Sequence, residues 1–177
     1  ALFFYLNVAF LKILARKVIN NRLKPVASNK KQKNYTQLQK ISILQSLTRN
    51  NNLTMHKIGV IGAGMIAEQH IRAIAKTANL EVIWLAAATQ ASVEKIGCQY
   101  NIPNRTTNYH NILNDKQVDA VIITTPPNLH REMFEASIKA GKHVLLEKPA
   151  AMTLNEIDAM IELSKQHPEL LVCDCSA

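Results

Sequence analysis

The stretch Lys57-Ile58-Gly59-Val60-Ile61-Gly62-Ala63-Gly64-Met65-Ile66-Ala67 decides the fold of this chain. A short apolar run enters Gly62-x-Gly64-x-x-Ala67, and a helical pattern follows at once. This is the sequence form of a dinucleotide-binding turn. Gly62 permits the tight turn, Gly64 lets backbone approach a pyrophosphate, and Ala67 lets the helix pack close to the sheet. The N–H groups at the helix start, at Met65 and Ile66, then face the phosphates, where the helix dipole favours negative charge. Read in isolation, the same residues also suit an ordinary tight strand-to-helix turn.

Working outward from this turn, strands and helices alternate. The pattern predicts strands at 57–61, 80–86, 105–107, 118–124, 142–146 and 170–174, and helices at 64–77, 91–100, 109–114, 130–140 and 154–166. The runs at 118–124 and 142–146 are short and mainly apolar, as strands covered on both faces are. Helix 64–77 is expected to turn Ile66, Ile71, Ile74 and Ala75 toward the sheet, with Glu68, Arg72 and Lys76 outward. Gly141 reads as a helix stop, Thr153-x-x-Glu156 as a capping box, and Pro168 as a block to further helix. Alternation at this spacing implies right-handed crossovers and a parallel sheet. The expected fold class is therefore α/β, a doubly wound parallel-sheet Rossmann domain with strand order 3-2-1-4-5-6. Its ligand would lie at the carboxyl ends of the strands, beside the switch point.

Charge and cysteine content narrow the function classes. The formal net charge is +8, yet residues 1–54 hold ten of the 21 Lys/Arg and none of the 13 Asp/Glu. The basic character thus belongs to the first segment, and no nucleic-acid partner is expected for the domain that follows. Residues 1–15 are apolar but interrupted by Asn7 and Lys12, and are shorter than the ~20 apolar residues of a membrane span. Residues 24–52 are polar and basic and read as poorly ordered. No membrane partner is expected, although an amphipathic surface helix within the first 20 residues stays open. Met55 stands just before the first core strand and is read as the natural start. Residues 1–54 would then be upstream translated sequence or an unrelated extension, and 55–177 the domain. Cys98, Cys173 and Cys175 are odd in number and follow no secretion signal, which suggests reduced thiols in a cytoplasmic protein. Cys173-Asp174-Cys175 has no second Cys/His pair at ligand spacing, so it reads as two side chains on one strand face, and no metal is expected.

Two further stretches carry chemistry. Thr124-Thr125-Pro126-Pro127-Asn128-Leu129-His130 follows the fourth strand, at the same sheet edge as Gly62–Gly64. Its prolines hold the loop extended and Asn128 can cap the next helix. It reads either as a well-capped loop or as a cofactor contact. Glu147-Lys148-Pro149 follows Val144-Leu145-Leu146. Pro149 restricts Lys148 to extended geometry and can itself follow a cis peptide. An ammonium so directed can donate to a substrate hydroxyl and stabilise an oxyanion during hydride transfer. A Glu–Lys surface pair is the alternative.

These motifs, in this order and together with His70 and Gly141-Lys142-His143, resemble the amino-terminal half of the glucose-fructose oxidoreductase / inositol dehydrogenase / rhizopine catabolism family. The resemblance covers about residues 57–177, and Glu147-Lys148-Pro149 is its most specific part. It implies a nicotinamide-dependent oxidoreductase acting on a sugar, a cyclitol or a related polyol. It implies Lys148 as the catalytic lysine and Glu147 as a neighbour of the nicotinamide ribose, with Thr125, Pro126 and Asn128 bordering the cofactor. His70 also fits the family pattern, but reads more readily as a helix-packing histidine. Two departures stand out. An NAD site wants an acidic residue at the end of the second strand, where this chain has Ala87-Ala88-Thr89-Gln90; Glu81 opens that strand, at its wrong end. The cofactor is NAD or NADP, with NADP favoured, although no Arg is adjacent and Lys95 lies on the next helix. Family members also carry a second α/β domain that holds the substrate pocket and most of the oligomer contact. That domain is absent from this sequence, so a fragment inactive alone is expected, from a full-length protein that is a homo-oligomer. A non-catalytic dinucleotide-binding regulator on the same fold is the competing function.

Overall fold

The computed structural model describes residues 55–175. The expectations for residues 1–54, a basic extension or an amphipathic surface helix, fall outside the described residues.

Six strands form one sheet: β1 (His56–Ile61), β2 (Leu80–Ala86), β3 (Asn104–Thr106), β4 (Ala120–Ile123), β5 (His143–Leu146) and β6 (Val172–Asp174). Every pairing is parallel and the order is β3-β2-β1-β4-β5-β6. The helices are α1 (Met65–Ile74), α2 (Gln90–Gln99), α3 (His110–Asn114), α4 (His130–Lys139) and α5 (Leu154–Gln166), with a 3-10 turn at Pro127–Leu129 leading into α4. This is the doubly wound arrangement that the strand–helix alternation implies. Between β1 and β4 successive connections leave in opposite directions, which opens a crevice at the carboxyl ends.

Strand alternation assigns the two faces. Ile58, Ala120, Ile122 and Leu145 pack with Ile74 of α1, and Val60 packs with Ala67 and Ile71 of α1 and Ile96 of α2. Val121, Ile123, Val144 and Leu146 pack on the other face with Ile112 of α3, Phe134 and Ile138 of α4 and Met160 of α5. A sheet buried on both faces explains why β4 is apolar at every position and β5 at all but its first, His143.

Several boundaries differ from the sequence reading. Helix α1 stops at Ile74, because Lys76 and Thr77 donate to the carbonyls of Ala73 and Ile74 in tight turns. Ala75 is consequently exposed, and Ala67, His70 and Ala73 share the buried face with Ile71 and Ile74. Strands β4 and β6 are shorter than the expected 118–124 and 170–174, since hydrophobic residues continue beyond the ladder. Gly141 follows α4 at φ +72, the left-handed conformation of a helix stop. The capping box at α5 is present: Thr153 Oγ1 accepts from Glu156 N–H, and Glu156 Oε2 accepts from Thr153 N–H. Thr153→Ala should cost about 1 kcal/mol and lower the melting temperature by roughly 3–6 °C. A thermal melt indistinguishable from that of the parent would show that the box adds nothing.

Candidate dinucleotide site

The turn after β1 is shaped by its neighbours on both sides. Gly62 N–H donates to Ala86 O at the end of β2, and Thr124, just past β4, donates its N–H and Oγ1–H to Ile61 O. Gly62 has φ +117, and a Cβ on it would overlap Thr124 Oγ1 and stand 3.0 Å from the Thr124 carbonyl carbon and oxygen. Only glycine satisfies both restrictions. Gly64 is different. Its φ is −87 and a Cβ would meet nothing within 4 Å, so its side-chain position opens into free space. It is the N-cap of α1 and no side chain caps the helix there. The first N–H groups of α1, those of Met65, Ile66 and Ala67, have no intrahelical acceptor and stand at the helix mouth.

A cavity of about 610 Å³ lies over this turn. Gly62, Ala63 and Gly64 form its floor, Ala86, Ala87, Ala88 and Ser92 one wall, and Thr124, Thr125, Pro126 and Leu129 the other; Thr107 and Tyr109 close the end. The volume suits an extended ligand portion of nucleotide size. The cradle fits a dinucleotide: glycine backbone, a helix N-terminus and hydroxyl-bearing walls converge on one space. Among the described residues, no charged side chain lines the cavity. Tyr109 stays neutral, because burial and its bond to Glu132 push the phenol up to about 12.

The end of β2 carries no carboxylate. Ala87 and Ala88 line the cavity, and the exposed Thr89 caps α2 by accepting from Ser92 N–H. Arg105, on β3, is engaged elsewhere: it pairs with Glu94 at 3.0 Å and donates to Ile102 O and Gly97 O. Lys95 lies exposed on α2.

The residues singled out in the sequence fall into two groups. Gly62, Gly64, Thr125 and Pro126 line the cavity, with Met65 and Ile66 at the adjoining helix mouth. Asn128 does not cap α4: Leu129 is the N-cap residue, without a side-chain bond, because the 3-10 turn runs directly into the helix. Asn128 is exposed and lies outside the lining of the cavity.

Glu147 and Lys148 lie past the end of β5, on the opposite side of the glycine turn from β2. Lys148 is exposed, and its peptide bond to Pro149 is cis. Glu147 is 6% exposed and is no surface partner of Lys148. It shares the α1 face with Leu145, two residues earlier on the strand. There Oε1 lies 2.7 Å from His70 Nε2, and Oε2 accepts the Lys148 backbone N–H at 3.1 Å. Burial alone would raise the Glu147 carboxyl, but the His70 bond and the Lys148 N–H outweigh it and hold the group below its ordinary range. Glu147 is therefore a buried carboxylate, and a buried carboxylate requires such partners.

His70 is thus more than the packing histidine of the sequence reading: it is buried because it satisfies Glu147. Cys175 completes the group. Cys173 and Cys175 do share one face, and the Cys175 thiol hydrogen-bonds Glu147, with burial as the main cause driving its own pKa well upward. The ligand atoms of His70, Glu147 and Cys175 lie within 4.8 Å of one another, and the hydrogen bonds of the three converge on the carboxylate. His130 was also missed as a functional candidate. Fully buried at the start of α4, its Nε2 lies 2.7 Å from Thr125 O and its Nδ1 3.0 Å from Pro149 O. No sequence periodicity links residue 70 to 147, or 130 to both 125 and 149. The only available signal was the presence of these histidines within the motifs.

Among the described residues, no helix is long and apolar enough to cross a membrane.

Comparison with known proteins agrees with this geometry. The family model described as "Oxidoreductase family, NAD-binding Rossmann fold" matches residues 56–174. The chain is 33% identical over 121 residues to inositol 2-dehydrogenase of Salmonella typhimurium, covering 66% of this chain and 35% of that protein. It is 33% identical over 112 residues to 1,5-anhydro-D-fructose reductase of Ensifer adhaerens, covering 63% and 34%. Among solved structures it resembles an NAD-binding oxidoreductase from Klebsiella pneumoniae, with TM-score 0.64 and 29% identity over 68% of this chain and 34% of that one. It also resembles a 3-ketoreductase from Actinomadura kijaniata in complex with TDP-benzene and NADP, with TM-score 0.62 and 26% identity over 67% and 37%. The chain spans about a third of the length of the relatives it matches. On the family match, the sheet order and the glycine turn together, the chain belongs to the oxidoreductase family with an NAD-binding Rossmann fold, and residues 56–174 are its nicotinamide-dinucleotide-binding domain.

Proposed function

We propose that this domain binds the cofactor of an NAD(P)-dependent oxidoreductase that transfers a hydride to or from a sugar, a cyclitol or a related polyol. The observation that carries the proposal is the Glu147-Lys148-Pro149 turn. It places an ammonium-bearing side chain at the carboxyl edge of the sheet, two strands from the glycine cradle, on a backbone anchored to a buried carboxylate. A dinucleotide sensor would not need that lysine. The similarity to inositol 2-dehydrogenase and 1,5-anhydro-D-fructose reductase favours a polyhydroxylated substrate.

On this reading the chain's residues divide the work. The helix mouth at Met65 and Ile66 and the backbone at Gly64 hold the pyrophosphate, and the walls at Ala87 and Thr125 hold the adenosine half. The bound dinucleotide supplies the hydride donor or acceptor. Lys148 Nζ gives a proton to the substrate oxygen in reduction and takes it back in oxidation, so the charge on that oxygen never builds up unpaired. Residues 56–174 supply the cofactor site and this lysine. Substrate contacts would come from protein outside them, and turnover by the 177-residue chain alone is not expected.

The cavity wall favours NADP over NAD, since no carboxylate meets the ribose or repels a 2′-phosphate. Titration of the chain with both cofactors tests this, with NADP expected to bind at least as tightly. Ala87→Asp places a carboxylate on the first residue past β2 and should shift the preference toward NAD by about 10-fold or more. An unshifted ratio would mean that the 2′ position lies elsewhere. Failure of both cofactors to bind would remove the cofactor reading.

A further inference from the structure

Two fully or nearly fully buried histidines hold the Glu147-Lys148-Pro149 turn from opposite sides, and we propose that both are positioning residues for Lys148. The inference rests on the reading of Lys148 given above. His70 reaches the turn from α1, on one face of the sheet, and His130 reaches it from α4, on the other.

The His70 arm acts through Glu147. A singly protonated imidazole with its hydrogen on Nε2 donates to Glu147 Oε1, which leaves Oε2 aimed at the Lys148 N–H. The Cys175 thiol donates to the same carboxylate. A carboxylate so held cannot rotate without losing several buried bonds at once. The backbone at the lysine is therefore held through a bond between two residues 77 positions apart, His70 and Glu147.

The His130 arm joins two loops. Both of its ring nitrogens face carbonyl oxygens, Thr125 O on the cofactor loop and Pro149 O on the lysine turn. A carbonyl oxygen only accepts, so the imidazolium satisfies both and a neutral ring satisfies one. Either way the ring fills the space between the cavity wall and the lysine turn and fixes their separation. His70 therefore positions the Glu147–Lys148 turn alone, whereas His130 positions that turn and the cavity wall together.

That difference makes the proposal testable on the 177-residue chain. The variants are His70→Leu, His70→Gln, His130→Leu and the parent. Three properties are measured: the exchange rate of the Lys148 amide by NMR, affinity for NADH and for ADP-ribose, and the melting temperature. ADP-ribose carries the adenosine and pyrophosphate but no nicotinamide. His70→Leu is expected to speed Lys148 amide exchange by about 10-fold and, by releasing Glu147 where it would border the nicotinamide ribose, to weaken NADH by a similar factor, while ADP-ribose binding stays within about twofold. His70→Gln keeps an N–H donor near Nε2 and should restore most of both losses. His130→Leu is expected to weaken NADH and ADP-ribose alike. Leucine variants with parental Lys148 exchange and NADH affinity would overturn the proposal. So would losses that follow the melting temperature equally in the Leu and Gln variants, because His70 would then be a folding residue only. A thiolate-to-metal absorption band on adding cobalt(II), lost in Cys175→Ser, would also overturn it in favour of a metal centre. If the parent binds neither nucleotide, the cofactor reading falls, and Lys148 exchange still decides whether the histidines hold the turn.

Discussion

Alanine at position 62 should cost this domain both its stability and its ligand, whereas alanine at position 64 should cost only the ligand. Gly62 sits at φ +117 with Thr124 packed where a Cβ would go. A methyl there meets a strained backbone and a collision with the start of the loop after β4. Together these should cost about 2–4 kcal/mol, a melting-temperature loss of roughly 6–20 °C. Thr124 cannot simply withdraw, since its N–H and hydroxyl both bond Ile61 O. Relief would have to come from parting β1 and β4, which opens the crevice at its base. Binding of either nicotinamide dinucleotide should then fall below detection.

Gly64 tests the opposite case. Its backbone suits any residue and its Cβ position is open. Gly64→Ala should leave stability unchanged or slightly raised, because alanine loses less chain entropy on folding. The added methyl would occupy the space where a phosphate meets the helix mouth, and affinity should drop by about 10- to 100-fold. Calorimetric melting and nucleotide titration of the two variants separate the effects. A Gly64→Ala protein that binds like the parent would mean that the pyrophosphate does not lie on α1.

The other large effect concerns chemistry rather than binding. If Lys148 acts as proposed, Lys148→Met in a form of the protein that turns over substrate should lower kcat by about 10²- to 10⁴-fold. The cofactor dissociation constant should change by less than about threefold, since Lys148 does not line the cavity. Stability should hold, because the side chain is exposed and methionine keeps its apolar stem. Turnover within about threefold of the parent would remove Lys148 from the reaction. A large loss of cofactor affinity would mean that the lysine binds the dinucleotide.

The sheet was readable from the sequence because its information is local. A strand buried on both faces must be mainly apolar, and a tight turn into a packed helix must be small at Gly62 and Ala67. Both requirements act within a few residues, so periodicity and composition expose them. Errors arose where hydrophobicity and hydrogen bonding part company. Val118 is buried but precedes the β4 ladder, and Ala75 is apolar but lies past the end of α1. Asn128 failed as a cap because a 3-10 turn occupies the residues where a cap would form.

The glycine turn and the position of Lys148 were thus legible in the sequence itself: the turn, its placement after β1, and Glu147-Lys148-Pro149 at the end of a buried strand. Only the tertiary structure decided how that lysine is held. Glu147, for which the sequence offered the ribose neighbourhood or a surface pair with Lys148, is a buried carboxylate bonded to His70. His130 looked like the last letter of a loop motif and proved to join the cavity wall to the lysine turn. Buried polar groups take whichever partners the fold brings within bonding distance. Those partners come from α1, α4, β5 and the chain past β6, elements that meet only when the sheet has closed around them.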